Sequence, residues 1–136
     1  MENRFFKEAK RWLIQAKDEF LDADELRKRG RFYLALFHFQ QAAEKALKAY
    51  LYYKTESPQV FFTHSIGELV EMANKFDRDF SKLKDGEKLD RYYIPTRYPN
   101  GIPGSIPSRY YKDPKEAKEA MEIAKKIIDF VDERMK

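Results

Sequence analysis

The residues best suited to chemistry lie in three places. The first is the run Phe37-His38-Phe39-Gln40-Gln41-Ala42-Ala43-Glu44-Lys45-Ala46-Leu47-Lys48-Ala49, where Gln41, Lys45 and Lys48 recur at helical spacing. Two ammonium groups and an amide on one side of a helix can hold a phosphate. The plainer reading is the polar edge of a central helix, with Gln41 and Glu44 bonded to neighbouring helices, since Lys and Gln are good helix formers that need no ligand. The second place is a set of Arg–Tyr pairs, Arg91-Tyr92, Arg97-Tyr98 and Arg109-Tyr110. Guanidinium groups grip phosphates in bidentate fashion and tyrosine rings stack on bases. The same pairs can instead order a loop by cation–π packing, and the sequence leaves both readings open.

The third place is the two histidines. His64 stands just before a helix start, where free backbone N–H groups and the dipole favour an anion; alternatively it caps or packs against the preceding loop. His38 follows Arg31 by seven positions, so the two would share a helical face about two turns apart. Flanked by Phe37 and Phe39, His38 reads more plainly as a packed histidine.

Other chemistries are excluded. The chain has no cysteine, hence no disulfide framework, thiolate metal site or cysteine nucleophile. Neither histidine has a carboxylate pair at ligand spacing, so no metal is expected, and no cofactor motif is present. Asp18, Asp22 and Glu25 share a face of the first helix, but Lys17, Arg27, Lys28 and Arg29 beside them make a solvated surface the expectation. Gly101-Ile102-Pro103-Gly104 lacks the strand and helix that a phosphate loop needs. Ser65 beside His64 has no third member for nucleophilic catalysis.

Positioning these groups falls to helices. Phe5, Ala9, Trp12, Leu13, Ala16, Phe20, Ala23 and Leu26 form one face of a helix over residues 4–29, with Gly30 at its left-handed cap. A second helix over 32–53 is apolar on several sides, as expected for the buried centre of a bundle. Ser65 and Glu68 form a capping box that opens a short helix through Ala73. Phe80, Leu83, Leu89 and Tyr93 suggest one or two short helical pieces, interrupted near Asp85-Gly86. Residues 94–112, with four prolines and two glycines, form a long loop that packs in part through its Ile and Tyr residues. Asp113-Pro114-Lys115-Glu116 opens the last helix, in which Glu122 and Lys126 stand at i,i+4. The expected fold is therefore all-α: one domain over residues 1–136, an antiparallel four- to five-helix up-and-down bundle with a long Pro/Gly/Tyr-rich loop before the last helix.

A net charge of +4 with both signs interleaved permits an anionic partner without demanding one. The abundance of Lys, Glu and Arg beside few Asn and Gln is of the heat-adapted type. The opening MENRFFKEAKRW has no apolar core or cleavage site of a signal peptide, and no stretch approaches the roughly 18 apolar residues of a membrane span. A cytoplasmic protein without a membrane partner is expected.

The Gln-Gln-Ala-Ala-Glu-Lys-Ala-Leu-Lys-Ala segment from Gln40 to Ala49 resembles the central helix of HEPN domains. Three further features agree: Gly30 followed by aromatic residues at the head of that helix, His64-Ser65-Ile66 with Leu69 opening the third helix, and Tyr93-Ile94-Pro95-Thr96-Arg97-Tyr98-Pro99 before the loop. The resemblance runs from about residue 5 to 135. It implies a helical bundle that often forms homodimers, a nucleotide-binding role, and a minimal nucleotidyltransferase as partner in a pair resembling toxin and antitoxin. On this footing the expected nucleotide-binding residues are Arg97, Tyr98, Lys45, Lys48 and His64. Some members are metal-independent ribonucleases that use an Arg and a His four to six residues apart near the end of the third helical region. Here Arg97 is present, but Tyr98 to Tyr111 contain no His. The remaining catalytic alternative is Arg31 with His38, or a composite site across a dimer, with RNA as the substrate.

Overall fold

The computed structural model describes residues 3–136. Its long helices are α1 (Arg4–Lys28), α2 (Phe32–Thr55) and α5 (Pro114–Arg134), with the shorter α3 (Ile66–Asn74) and the single turn α4 (Pro107–Tyr110). Among the described residues there is no strand, and no helix is long and apolar enough to cross a membrane.

The local signals explain the ends. Asn3 caps α1 by accepting from the Phe6 amide, and Gly30 turns the chain at φ +77°, a conformation that costs a glycine nothing. α1 and α2 thus form an antiparallel hairpin. α2 is the central helix, packed against α1, α3 and α5. Its alanines 35, 42, 43, 46 and 49 are all fully buried, so neighbouring helices come close to its axis. Asp113 caps α5 by accepting from the Lys115 amide, with Pro114 at the first position. Glu116 does not close that box. Its carboxylate instead accepts from the Tyr92 hydroxyl at 2.7 Å, which ties the residues just before the long loop to α5. Lys126 likewise passes over Glu122 and reaches the Lys82 carbonyl at 2.8 Å.

The segment after α3 departs from expectation. Residues Arg78–Tyr92 form one continuous 3₁₀ helix that runs through Gly86 without a break. Its buried residues are Phe80, Leu83, Gly86, Leu89 and Tyr92, one every third position, which is the period of a 3₁₀ helix. Gly86 belongs to that stripe because α5 and α3 leave no room for more. A Cβ there would lie 2.8 Å from Ile127 Cδ1 and 3.1 Å from Ile66 Cγ2. The loop over 94–112 packs as expected through Ile102 and Tyr111, along with Pro107 and Thr96, while Ile94 and Ile106 remain exposed.

Candidate functional site

The polar side of α2 is a ladder of paired charges. Lys48 is buried, and its ammonium donates to Glu44 Oε2 at 2.9 Å and to the Phe61 carbonyl at 3.0 Å. Glu44 also accepts from Gln40 Nε2 at 3.2 Å, and Gln40 accepts from Gln41 at 2.7 Å. On the side that faces α1, Lys45 donates to Glu19, whose other oxygen meets His38 Nδ1 at 2.8 Å. Burial pushes the Glu19 carboxyl up, but the hydrogen bonds from His38 and Lys45 outweigh it and hold the group below its ordinary range. Each histidine of the chain therefore rests on a buried carboxylate that also holds a lysine. The second case is His64, whose Nδ1 lies 3.4 Å from Glu44 Oε2.

The helix start beside His64 already holds an anion from the chain itself. Asp90 accepts from the Ile66 amide at 2.6 Å, the Gly67 amide at 3.1 Å and the Ser65 hydroxyl at 3.1 Å. Ser65 also caps α3 by accepting from the Glu68 amide. The Glu68 side chain takes the Thr63 hydroxyl at 2.7 Å.

His64 and the Thr-Arg-Tyr-Pro segment come together on Tyr93. The His64 ring stacks on it at 4.7 Å and 16°. The Arg97 guanidinium lies 4.6 Å from the Tyr93 ring centre, 4.9 Å from that of Phe37 and 5.1 Å from that of Tyr98. Arg97 Nε donates to the Tyr93 carbonyl at 2.7 Å, which fixes the side chain, and the residue is exposed. No carboxylate pairs with Arg97 among the described residues. The result is an exposed cation walled by three aromatic rings, with a half-exposed imidazole next to it.

Of the residues expected to bind an anion, Arg97, Tyr98 and His64 thus converge. Lys45 and Lys48 lie on the inward network, with their charges matched by Glu19 and Glu44. Arg31 is the exposed N-cap of α2, and among the described residues no hydrogen bond or ion pair joins it to His38, which is held by Glu19. Of the three Arg–Tyr pairs, Arg91-Tyr92 and Arg97-Tyr98 pack as cation–π contacts. Sequence reasoning missed Glu19, Asp90, Phe37 and Tyr93 as organisers. Glu19 had a signal: it falls on the buried stripe between Ala16 and Ala23, where a charge implies a partner. No group of His, Asp and Glu able to hold a metal ion occurs among the described residues.

The all-helical bundle with a central alanine-rich helix defines the fold class of the chain. The HEPN domain model matches residues 9–134, and the chain belongs to the HEPN family. Among solved structures it is similar to TT1696 from Thermus thermophilus, with 36% identity, a TM-score of 0.77, and 92% of this chain and 96% of that one covered. It is also similar to ST0689, an archaeal HEPN homologue, with 28% identity, a TM-score of 0.75, and coverage of 94% and 98%. No curated protein matches the chain.

Proposed function

We infer that the protein is a nucleotide-binding module whose ligand sits on the Arg97–Tyr93–His64–Tyr98 surface. The observation that supports this is the state of Arg97. It is fixed by its own backbone bond, flanked by rings, and left without a carboxylate among the described residues, whereas Lys45, Lys48, His38 and His64 all rest on one. A guanidinium in that state binds a phosphate through its remaining N–H groups, and exposed Tyr98 offers a ring face to a base. Titrating ATP and a short single-stranded RNA while following the His64 ring signals by NMR tests it. Saturable shifts that vanish in Arg97→Ala support the reading, and unmoved signals refute it.

The same proposal extends to partners. Partnership with a minimal nucleotidyltransferase, in a toxin–antitoxin-like pair, follows from the family resemblance, as does homodimerisation. Ile14 and Leu21, 58% and 62% exposed, stand two turns apart on the outer side of α1 and supply an apolar surface for such a contact. A second reading is a metal-independent ribonuclease. It draws on one observation: Arg97 and His64, distant in sequence, share the ring of Tyr93.

A further inference from the structure

Two surfaces carry charges that the chain itself does not answer. The first is the stretch between Asp90 and Asp113, which holds Arg91, Arg97, Arg109 and Lys112 and no acid. These residues account for the whole net charge of +4, since basic and acidic residues balance over the rest of the chain. Arg97 belongs to the proposed nucleotide site. Arg91, Arg109 and Lys112 are exposed and have no ion pair among the described residues. The rings of Tyr92 and Tyr111 meet at 6.0 Å and those of Tyr110 and Tyr111 at 5.0 Å, so the two ends of the stretch lie side by side. Ile94, Ile106 and Tyr110 are exposed among these charges. Ile106 and Arg109 line an open hollow of about 540 Å³ with Gly104 and Ser105. The second surface is the outer side of α1. Ile14, Asp18, Leu21, Asp22 and Glu25 are all exposed, and their spacing puts them on one stripe opposite the buried Ala9, Ala16 and Ala23. The cations beside them are engaged elsewhere: Lys17 holds Asp132 at 2.7 Å, and Arg27 and Lys28 hold Asp24 at 2.8 and 3.5 Å. Asp18, Asp22 and Glu25 have no ion pair among the described residues.

We propose that the 91–112 surface of one copy docks on the α1 stripe of a second copy. This rests on the proposed homodimerisation and names the two faces that meet. The faces match in kind: unpaired cations around Ile94, Ile106 and Tyr110 on one, unpaired carboxylates around Ile14 and Leu21 on the other. Arg91, Arg109 and Lys112 pair with Asp18, Asp22 and Glu25, and Leu21 enters the hollow beside Arg109. The charges orient the two chains, while the apolar groups supply the buried area. Because the faces differ, making the contact twice around a two-fold axis closes a dimer.

The test is sedimentation velocity on the full chain over a wide concentration range. At low salt the wild type should form a dimer whose dissociation constant rises by about tenfold or more at high salt, where exposed charges are screened. Asp18→Lys with Asp22→Lys and Glu25→Lys should give a monomer that is folded by circular dichroism. Arg91→Glu with Arg109→Glu and Lys112→Glu should do the same. Mixed in equal amounts, the two reversed proteins should associate, because each basic face again meets an acidic one. Leu21→Ser, which leaves every charge in place, should also weaken the dimer, while Glu133→Gln on α5 should not. A dimer that survives both reversals, or is indifferent to salt and to Leu21→Ser, overturns the docking and leaves homodimerisation standing. A chain that is monomeric at every concentration overturns both. Folded reversed proteins that fail to associate when mixed overturn the docking as well. So does a monomer that retains single-stranded RNA until Arg109→Glu and Lys112→Glu are introduced, since the basic face then serves a polynucleotide.

Discussion

His64 and Arg97, 33 positions apart in the sequence, meet on the ring of Tyr93, the imidazole stacked at 4.7 Å and the guanidinium 4.6 Å from the ring centre. Tyr93 therefore joins the loop before α3 to the segment after the 3₁₀ helix. Tyr93→Leu should keep the fold yet loosen both partners. The expected outcome is loss of the cation–π and stacking contributions, about 0.5–1.5 kcal/mol each, seen as a lower Tm. Nucleotide affinity should fall nearly as far as in Arg97→Ala. Unchanged affinity would detach Tyr93 from the site.

The Glu44–Lys48 pair is nearly dry, with side chains 4% and 3% exposed. Removing one member strands the other. Lys48→Met should cost about 3–5 kcal/mol, and adding Glu44→Gln should recover much of that loss. Urea unfolding of the single and double variants measures both values. Additive losses would mean that the two charges are not coupled.

Glu19 makes stability depend on pH. Its folded carboxyl lies below the ordinary value of 4.5 because the bonds from His38 and Lys45 outweigh burial. Its contribution is therefore complete above that value and is lost as pH falls through the depressed folded value. As pH falls below about 5 and through that depressed value, the wild type should lose stability more steeply than Glu19→Gln. Parallel curves for the two proteins would contradict this.

Gly86→Ala should destabilise by about 1–2 kcal/mol, although alanine is the better helix former. The reason is the contact its Cβ would make at 2.8 Å with Ile127 Cδ1. In an Ile127→Val background that methyl is gone, so the same change should cost less. Equal cost in both backgrounds would place the constraint elsewhere.

Much of the frame is legible in the sequence because it rests on local rules. Gly30 reads as a left-handed turn, Ser65 and Asp113 read as caps, and the stripes of α1 and α5 read as buried faces. The 3₁₀ helix is not, because a glycine between Leu83 and Leu89 signals a break when a period near 3.6 is assumed; a period of three counts Gly86 as a buried member. The site is legible in its parts, Arg97, Tyr98 and His64, but not in its assembly. Which lysines turn inward depends on Glu19, which meets Lys45 from α1, and on the Phe61 carbonyl, which takes Lys48 beside its own-helix partner Glu44. The α3 start reads as open to an anion because Asp90, 24 positions beyond Ile66, reaches it only through the fold.

The proposed nucleotide site stands or falls with the unneutralised Arg97. Thermal unfolding against ATP, GTP, CTP, UTP and short RNA, beside an Arg97→Ala variant, tests it most directly. A ligand at about 100 times its Kd stabilises by roughly 2.7 kcal/mol, a shift of a few degrees. Such a shift is expected for at least one ligand, together with its loss in Arg97→Ala. A panel that leaves the wild type unmoved, or moves both proteins equally, would contradict it.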